Sequence, residues 1–405
     1  MKIAIATAVY YPQINGVAVF SHNLAKGLAK RGHEVLVLTP SQDGKSHTKM
    51  VDGVKVAFLK SIDIKVYPDQ IHEVPANKKL VYKYGLRASV WPRREIGRVL
   101  DDFRPDVVHV QVSDPIGLAV VAYARHHNIP VVTTEHNQPE VITESLKLPK
   151  LLKNGVNAML SAYFRHRHGK GDFATMPTEK SIRNLLGKHG LKVPIAAVSN
   201  GVDLSAFGPG KATKEIYEKY GIPEGKPIVL YIGRVDPEKK VGVVIRAFER
   251  AAEKVPEAEL VIVGDGVDKA RVVKMAMNNP KIHFLGKVLP PDLYELYKVG
   301  TVFVTASEIE TQGIVLIEAA ATGLPLIAMD KSAVAEVCIN GKNGCLCKPG
   351  SVEEMADAIV KILSDDEIRK RYAKESLAVA DEHNFEKTLD KFENIYGRLV
   401  KKGGV

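Results

Sequence analysis

The chain has 405 residues, 45% of them hydrophobic and 26% charged, a balance typical of a soluble globular protein that is too long for one ordinary core. Its longest apolar runs, such as 116–124, are too short to span a bilayer, and residues 1–6 continue into turn residues without a secretory cleavage pattern. Three cysteines without a CxxC pair favour a reducing compartment and argue against a structural zinc site.

The net charge of +10 is unevenly distributed. Residues 1–200 hold 28 Lys and Arg against 16 Asp and Glu, whereas the rest of the chain holds 29 against 31. All of the basic excess therefore lies in the first half. Such a distribution indicates an acidic partner for that half, either a lipid surface or a nucleic acid.

The first half alternates short β-branched runs with helical patterns. Strands are predicted within 2–12, 35–40, 106–112 and 130–136, and helices over 16–35 and 116–128. Alternation at this spacing is typical of βαβ units, which build a parallel sheet.

The same alternation restarts after Gly208-Pro209-Gly210, which has the composition of a linker. Strands are predicted at 227–233, 259–266, 301–307 and 324–330, with a helix over 241–255. We therefore predict an α/β protein of two doubly wound, Rossmann-like domains facing each other across a cleft. The first covers 1–205 and the second 206–384, and a last helix within 385–405 packs back on the first domain.

Two glutamates stand in the apolar stretch 307–325. A helix is predicted over 314–322, ending at Gly323, so that Glu318 lies inside it although a carboxylate is seldom buried without a partner. Glu310 lies just before the helix and can accept hydrogen bonds from sugar hydroxyls. The free backbone N–H groups of the helix start favour a phosphate, and they belong to Thr311, Gln312, Gly313 and Ile314. A helix cap with a buried ion pair is the alternative.

Arg234 and Lys239 follow the first predicted strand of the second domain. Two cations at a strand end suit a diphosphate, although an ordinary solvated loop would look the same. Gly264 and Gly266 follow another strand and would allow a close approach to a ligand. A tight turn is the better explanation of this pair.

Taken together, these motifs resemble the retaining GT-B glycosyltransferases of family 4. The matching segments cover nearly the whole chain and are "YYPQINGV", "RGHEV", "VSNGVD", "GRVDPEK", "VGDG", "FLG" at 284–286, and Glu310-x7-Glu318. The resemblance implies that Glu310 contacts the transferred sugar and Glu318 the nucleotide ribose. The implied nucleotide-sugar site comprises Gly16, Arg234, Lys239, Gly264, Leu285, Glu310, Thr311, Gln312, Gly313, Ile314 and Glu318, with catalytic roles for Glu310, His136, Arg234 and Lys239.

The resemblance also implies a reaction. A hexose would pass from a nucleoside diphosphate sugar to an acceptor with retention of configuration, through a front-face process without a covalent nucleophile. No Asp-x-Asp pair occurs in the sequence, so no divalent metal or other cofactor is expected. A two-domain nucleotide-sugar epimerase would share this architecture and is the alternative enzyme.

Basic and aromatic residues interleave in two segments of the first half, 77–98 and 147–170, and this mixture suits an anionic membrane surface. The candidate membrane or acceptor residues are Trp91, Arg87, Arg93, Arg94, Lys150 and Lys153. Solvated loops are the alternative for each segment alone.

The acceptor prediction follows from those segments and from "ETQG" at 310–313, which resembles enzymes that glycosylate diacylglycerol. We expect a diacylglycerol glucosyltransferase using UDP-glucose, cytoplasmic and peripheral on the inner face of the cell membrane. A phosphatidylinositol mannosyltransferase using GDP-mannose, a family 4 enzyme with a soluble acceptor, and a non-catalytic protein that binds anionic surfaces remain alternatives. No nucleic-acid signature is present, and the sequence does not predict the oligomeric state.

Overall fold

The computed structural model describes residues 1–403 apart from 12, 14, 65–69, 73–81, 85, 91, 112–113, 137–138, 140–142, 144–148 and 188. The α-helices, in chain order, are α1 (Gly16–Lys30), α2 (Arg93–Phe103), α3 (Pro115–His126), α4 (Lys150–His168), α5 (Glu179–Leu186), α6 (Lys214–Tyr220), α7 (Val241–Ala252), α8 (Lys269–Ala276), α9 (Asp292–Tyr297), α10 (Ile314–Ala321), α11 (Val352–Ser364), α12 (Asp366–Glu382) and α13 (Phe385–Gly403). Short 3-10 helices cover Pro237–Lys239 and Ser332–Glu336.

The first half of the chain forms an eight-stranded sheet. Its strands are β1 (Lys2–Ala6), β2 (Glu34–Pro40), β3 (His47–Val51), β4 (Val54–Leu59), β9 (Val107–Val110), β10 (Val131–Thr134), β11 (Phe173–Met176) and β12 (Ile195–Ala197). They lie in the order β12-β11-β10-β9-β1-β2-β4-β3, and all neighbours are parallel except β3 and β4. Two short antiparallel pairs join β5 (Ile62–Ile64) to β8 (Leu86–Ala88) and β6 (Gln70–His72) to β7 (Tyr82–Tyr84).

The second half forms a six-stranded, fully parallel sheet. Its strands are β13 (Ile228–Ile232), β14 (Glu259–Val263), β15 (Ile282–Gly286), β16 (Val302–Val304), β17 (Leu326–Met329) and β18 (Gly344–Cys347). They lie in the order β15-β14-β13-β16-β17-β18, so the chain reverses direction across the sheet between β13 and β16. In doubly wound sheets this switch point is where ligands bind. The prediction of two Rossmann-like domains is confirmed.

Both sheets are buried on two faces because their strands are apolar at successive positions. Along β1, Ile3 and Ile5 pack on one side against α1 and α13, whereas Ala4 and Ala6 pack on the other side with residues of α2 and α3. Successive side chains of a strand point to opposite faces, so a parallel sheet covered by helices needs continuous apolar runs.

The last helix crosses back from the second domain to the first. Leu389, Phe392 and Tyr396 of α13 are fully buried in the core that α1 covers. At the surface, the guanidinium of Arg31 donates hydrogen bonds to carboxylates of α13, those of Glu386, Asp390 and Glu393. The helix is therefore fixed to the first domain by both apolar and ionic contacts.

Some elements differ from the sequence prediction. Helix α1 ends at Lys30, not at 35, because Gly32 adopts a positive φ of 86° and turns the chain into β2. The strands at 47–59 were not predicted. Across the described residues, no helix combines the length and hydrophobicity needed to cross a bilayer.

Candidate active site

The candidate site lies where β13 and β16 end, at the switch point of the second sheet. After β13 the chain passes through Gly233 and Arg234 into the short helix Pro237–Lys239. After β16 it passes through Glu308 and Glu310 to the start of α10. The carboxyl ends of these neighbouring parallel strands therefore bring cations and carboxylates together.

Lys239 and Glu310 form an ion pair that the sequence did not reveal. The Nζ of Lys239 lies 2.6 Å from Oε1 of Glu310, and both side chains are largely buried. The backbone N–H of Glu310 donates to Oγ of Ser332, which restrains the main chain at this residue. An incoming phosphate would compete with Glu310 for the Lys239 ammonium.

Arg234 is also paired with carboxylates in the free protein. Its guanidinium contacts the carboxylates of Asp236 and Glu238, the latter at 2.7 Å, and the side chain is 63% exposed. Its backbone carbonyl accepts a hydrogen bond from the Tyr231 hydroxyl. Arg234 thus lies at the rim with its charge balanced locally, whereas Lys239 lies deeper.

Glu308 is a third acidic residue at this edge, and sequence reasoning missed it. Its carboxylate accepts hydrogen bonds from Lys240 and, at 2.9 Å, from Lys331. Burial alone would raise the pKa of Glu308, but the two ammonium groups lower it below its ordinary value. The site is therefore lined by alternating charges that hold one another in place.

Glu318 lies within α10, as predicted, but its partner is a phenol. The hydroxyl of Tyr297 on α9 donates to Oε2 of Glu318 over 2.5 Å. Among the described residues no cation pairs with Glu318, so the ion pair of the alternative explanation is found at Glu310 and not at Glu318. Burial raises the pKa of Glu318 to about 7, and the Tyr297 hydrogen bond opposes this only in part.

The residues just before α10 connect the two domains. The buried side chain of Gln312 donates to Oγ of Ser199 over 2.6 Å and accepts from the backbone N–H of Asn200. The carbonyl of Thr311 accepts from the hydroxyls of Thr178 and Ser181. The Gln312 side chain is therefore occupied by the domain contact, whereas the predicted role in binding the nucleotide sugar concerns the backbone N–H group of this residue.

Helix α10 begins where Gly313 adopts a positive φ of 82°, and Ile314 is its first helical residue. A Cβ at Gly264 would collide with the carbonyl oxygen of Gly233, so this glycine is needed for packing between two loops. The tight packing explains Gly264 without a ligand. Leu285 packs partly buried against the core of the second domain.

The first domain contributes Gly16 and His136 from its own strand ends. Gly16 begins α1 after the Asn15 cap, and a Cβ added there would touch nothing within 4 Å. His136 follows β10, is 8% exposed, and packs its ring 5.0 Å from that of Phe20. Burial lowers the pKa of His136 to about 4, so the imidazole is neutral at physiological pH.

The predicted membrane residues differ in exposure and in their contacts. Arg87 is half-buried and donates from Nε to Oγ of Ser61 over 2.9 Å, and its role at a membrane surface stays a prediction. Arg93 and Arg94 are exposed at the start of α2. A positive charge at this end of a helix is repelled by the helix dipole, so the two arginines do not stabilise α2. Trp91 and the side chain of Lys150 lie outside the described residues, and Lys153 is half-buried.

Helix α4 carries an exposed apolar stripe that the sequence reading did not isolate. Leu152, Met159 and Tyr163 are 56%, 63% and 44% exposed. Their spacing of seven and four residues places them on one face of the helix. Arg167 lies over the Tyr163 ring, with Cζ 5.6 Å from its centre. The stripe is visible in the sequence as an i, i+7, i+11 pattern.

The architecture and the charged switch point define the class to which the molecule belongs. Two family models match consecutive parts of the chain: Glycosyltransferase Family 4 over residues 14–206 and Glycosyl transferases group 1 over residues 212–378. The structure also superposes on sucrose-phosphate synthase from Thermosynechococcus elongatus with a TM-score of 0.75, at 17% identity and over 99% of both chains. This is the GT-B glycosyltransferase fold.

Two relatives in sequence match over almost the full length. A GDP-mannose-dependent alpha-mannosyltransferase of Mycobacterium tuberculosis is 30% identical over 377 residues, which are 92% of this chain and 90% of that protein. An alpha-monoglucosyldiacylglycerol synthase of Streptococcus pneumoniae is 26% identical over 404 residues, 97% and 85% of the two chains. The chain belongs to glycosyltransferase family 4 and is a hexosyltransferase, which confirms the predicted family and sets aside the non-catalytic alternative.

Proposed function

We propose that the chain transfers glucose from UDP-glucose to a lipid acceptor such as diacylglycerol, with retention of configuration. The observation that carries the lipid acceptor is the exposed stripe of Leu152, Met159 and Tyr163 in the domain that holds all of the basic excess. A relative that is 26% identical and named for the synthesis of monoglucosyldiacylglycerol supports the same acceptor.

On the donor side, we assign the diphosphate to Lys239 and Arg234, the transferred sugar to Glu310 and the ribose to Glu318. The bond from the anomeric carbon to the diphosphate breaks while the acceptor oxygen bonds to that carbon on the same face. The acceptor's proton passes to the departing phosphate oxygen. Negative charge grows on the diphosphate in the transition state, so a cation placed there lowers the barrier.

The resting ion pair supports this assignment. In the free protein the Lys239 ammonium is held by Glu310 at 2.6 Å, so it is already placed inside the site. When a diphosphate takes the ammonium, Glu310 is left free to accept hydrogen bonds from sugar hydroxyls. Donor binding would thus give Lys239 a new anionic partner, while Glu310 exchanges the ammonium for the neutral hydroxyl donors of the sugar, which limits its desolvation cost.

On the acceptor side, the α4 stripe and the cations of α2 would meet the membrane together. Apolar side chains enter the interface, and each Lys or Arg near an anionic surface contributes on the order of 1 kcal/mol. Arg93 and Arg94 are exposed and without a carboxylate partner among the described residues. We accordingly place the protein on the cytoplasmic face of the membrane, and its three free thiols suit a reducing compartment.

Met159→Asp should abolish most of the binding to vesicles that contain anionic lipid. A carboxylate on the stripe both removes apolar area and repels the lipid headgroups. Co-sedimentation at low and high salt measures this, and Arg93→Glu with Arg94→Glu should remove mainly the salt-sensitive part.

The matched control is Met277→Asp, because Met277 is 74% exposed in the second domain, away from the proposed surface. This variant should bind vesicles as the unchanged protein does. Equal losses from both methionine variants, or equal binding of the unchanged protein to zwitterionic and anionic vesicles, would point to a soluble acceptor.

A GDP-mannose donor is the second candidate, and the relative that favours it is 30% identical. Each of UDP-glucose, UDP-galactose and GDP-mannose is therefore incubated with diacylglycerol vesicles, phosphatidylinositol vesicles or no lipid. Release of nucleoside diphosphate should be fastest with UDP-glucose and diacylglycerol. Faster release with GDP-mannose and phosphatidylinositol would replace the donor and acceptor proposed here.

Chelation of divalent metals should leave the rate of sugar transfer within about twofold of the untreated rate. The expectation rests on the absence of an Asp-x-Asp pair and on the cations that would balance the diphosphate. EDTA is added to the complete assay, with excess magnesium as the control for reversal. Loss of activity that magnesium restores would contradict the assignment of the leaving-group charge to Lys239 and Arg234 alone.

A further inference from the structure

A line of buried polar side chains lies beneath His136 in the first domain. At its centre, His109 on β9 is fully buried, with Nδ1 2.6 Å from the hydroxyl of Tyr396 and Nε2 2.6 Å from Oγ1 of Thr134. Thr134 in turn lies 2.6 Å from Oγ1 of Thr175. Tyr396 belongs to α13, so the returning helix supplies one end of this network.

Gln111 joins the network to His136. Its side chain is fully buried, and Oε1 lies 2.7 Å from Nε2 of His136. The amide nitrogen of Gln111 faces the His109 ring, 3.3 Å from both ring nitrogens. The backbone N–H of Gln111 donates to the carbonyl of Ala6 in the central strand. Gln111 is therefore held from both its main chain and its side chain.

This contact determines which nitrogen of His136 carries the proton. An amide oxygen can only accept a hydrogen bond, so Nε2 of His136 must be the N–H group. Because the buried imidazole is neutral, Nδ1 then carries a lone pair and can only accept. No described residue donates a hydrogen bond to Nδ1.

We propose that Gln111 is a positioning residue that holds His136 as the Nε2–H tautomer, so that Nδ1 accepts a hydrogen bond from a hydroxyl of the transferred sugar. The proposal rests on the proposed function and on the catalytic role that the family resemblance implies for His136. A neutral acceptor suits the reaction because positive charge grows on the sugar ring as the diphosphate leaves, and an imidazolium beside it would be repelled.

The tautomer can be measured without any activity assay. Nitrogen-15 NMR of the histidine side chains distinguishes a protonated from an unprotonated ring nitrogen, and loss of signals in His136→Asn assigns the residue. At neutral pH we expect Nε2 to be protonated and Nδ1 unprotonated in the unchanged protein. A predominant Nδ1–H form, or a rapid mixture of the two forms, would overturn the proposal.

The kinetic arm uses Gln111→Leu and His136→Ala, alone and combined. Gln111→Leu should lower kcat by about three- to tenfold, the loss of one hydrogen bond, and leave the affinity for free nucleoside diphosphate unchanged. In the His136→Ala background the same change should cost nothing further, because Gln111 acts through His136. Independent, additive losses would contradict that role.

The two arms separate this proposal from the proposed function. If the unchanged protein neither transfers nor hydrolyses any sugar nucleotide, the function is wrong, while the NMR result still decides the tautomer. If Gln111→Leu does not fold, the measurement on the unchanged protein remains sufficient to overturn the proposal.

Discussion

Lys239→Ala is expected to lower the turnover number by roughly 10²–10³-fold while changing the KM for the donor far less. The diphosphate gains negative charge as the sugar departs, so the Lys239 ammonium contributes more in the transition state than in the ground state. In the unchanged protein the Glu310 carboxylate lies 2.6 Å from the Lys239 ammonium. The substitution leaves this carboxylate without a cationic partner beside the bound phosphates. Steady-state kinetics with saturating acceptor separates kcat from KM.

Two comparisons sharpen that measurement. Lys254→Ala removes a lysine whose pair with Asp357 is exposed at the surface of the same domain, and should leave both constants unchanged. Arg234→Ala should have a smaller effect than Lys239→Ala, because the Arg234 side chain is 63% exposed and already balanced by Asp236 and Glu238. A change in KM alone for Lys239→Ala would show uniform binding and contradict the catalytic assignment.

Glu318→Gln is expected to act in opposite directions on binding and on stability. Loss of the charged acceptor for the ribose hydroxyls should weaken nucleoside diphosphate binding by roughly 1–3 kcal/mol. Because the pKa of Glu318 is about 7, binding by the unchanged protein should also weaken as the pH falls below 7, and the variant should lose this dependence. Titration calorimetry at several pH values measures both effects.

The stability effect follows from the same pKa. The folded protein keeps the Glu318 proton up to about pH 7, whereas an ordinary glutamate releases it near 4.5, so ionisation costs folding stability as the pH rises between these values. A glutamine retains the hydrogen bond from Tyr297 without the charge. At pH 8 the ligand-free variant should therefore be more stable by roughly 1–3 kcal/mol, with little difference at pH 4.

Urea unfolding of the ligand-free protein tests this, with Glu353→Gln as the control because that carboxylate is exposed in its pair with Arg250. Weaker binding without a gain in stability would mean that ionisation of the buried Glu318 carboxyl group does not destabilise the free protein. Unchanged binding would remove its assignment to the ribose.

The fold could be predicted because its signals are local. Runs such as 227–233 and 259–266 are apolar at successive positions, as strands buried on both faces must be, and each is followed by a helical pattern or a turn. Strand β3 was not predicted because it is exposed along most of its length, so burial supplied no pattern. Strand β4 is buried at all positions but Lys55, and its apolar run was overlooked. Strands β11 and β12 are only four and three residues long, too short to show a period.

The site was predictable residue by residue but not as a set of contacts. Glu310 and Glu318 stood out because carboxylates are rare in apolar stretches. That Lys239 meets Glu310, and that Lys240 and Lys331 meet Glu308, depends on how separate strand ends converge, which no local pattern encodes. The same holds for the contact between Gln312 and Ser199.

Counting charges predicted a basic first domain, but it did not show which of the basic side chains are exposed and free to meet a partner. Arg87 contributes to the total, yet its guanidinium is bound to Ser61. The exposed stripe of α4 carried a readable period at 152, 159 and 163, but exposed and buried apolar stripes look alike in a sequence. Only packing distinguishes a core face from a docking face.

The central claim is lipid-directed, retaining hexosyl transfer, and the most direct test is the structure of the product. Vesicles containing diacylglycerol and anionic lipid are incubated with UDP-glucose and the protein, and the extracted lipids are analysed by mass spectrometry and proton NMR. The account predicts diacylglycerol carrying one hexosyl unit, with the same anomeric configuration as the donor. Free glucose with unmodified lipid, or a glucosyl lipid of inverted configuration, would contradict it.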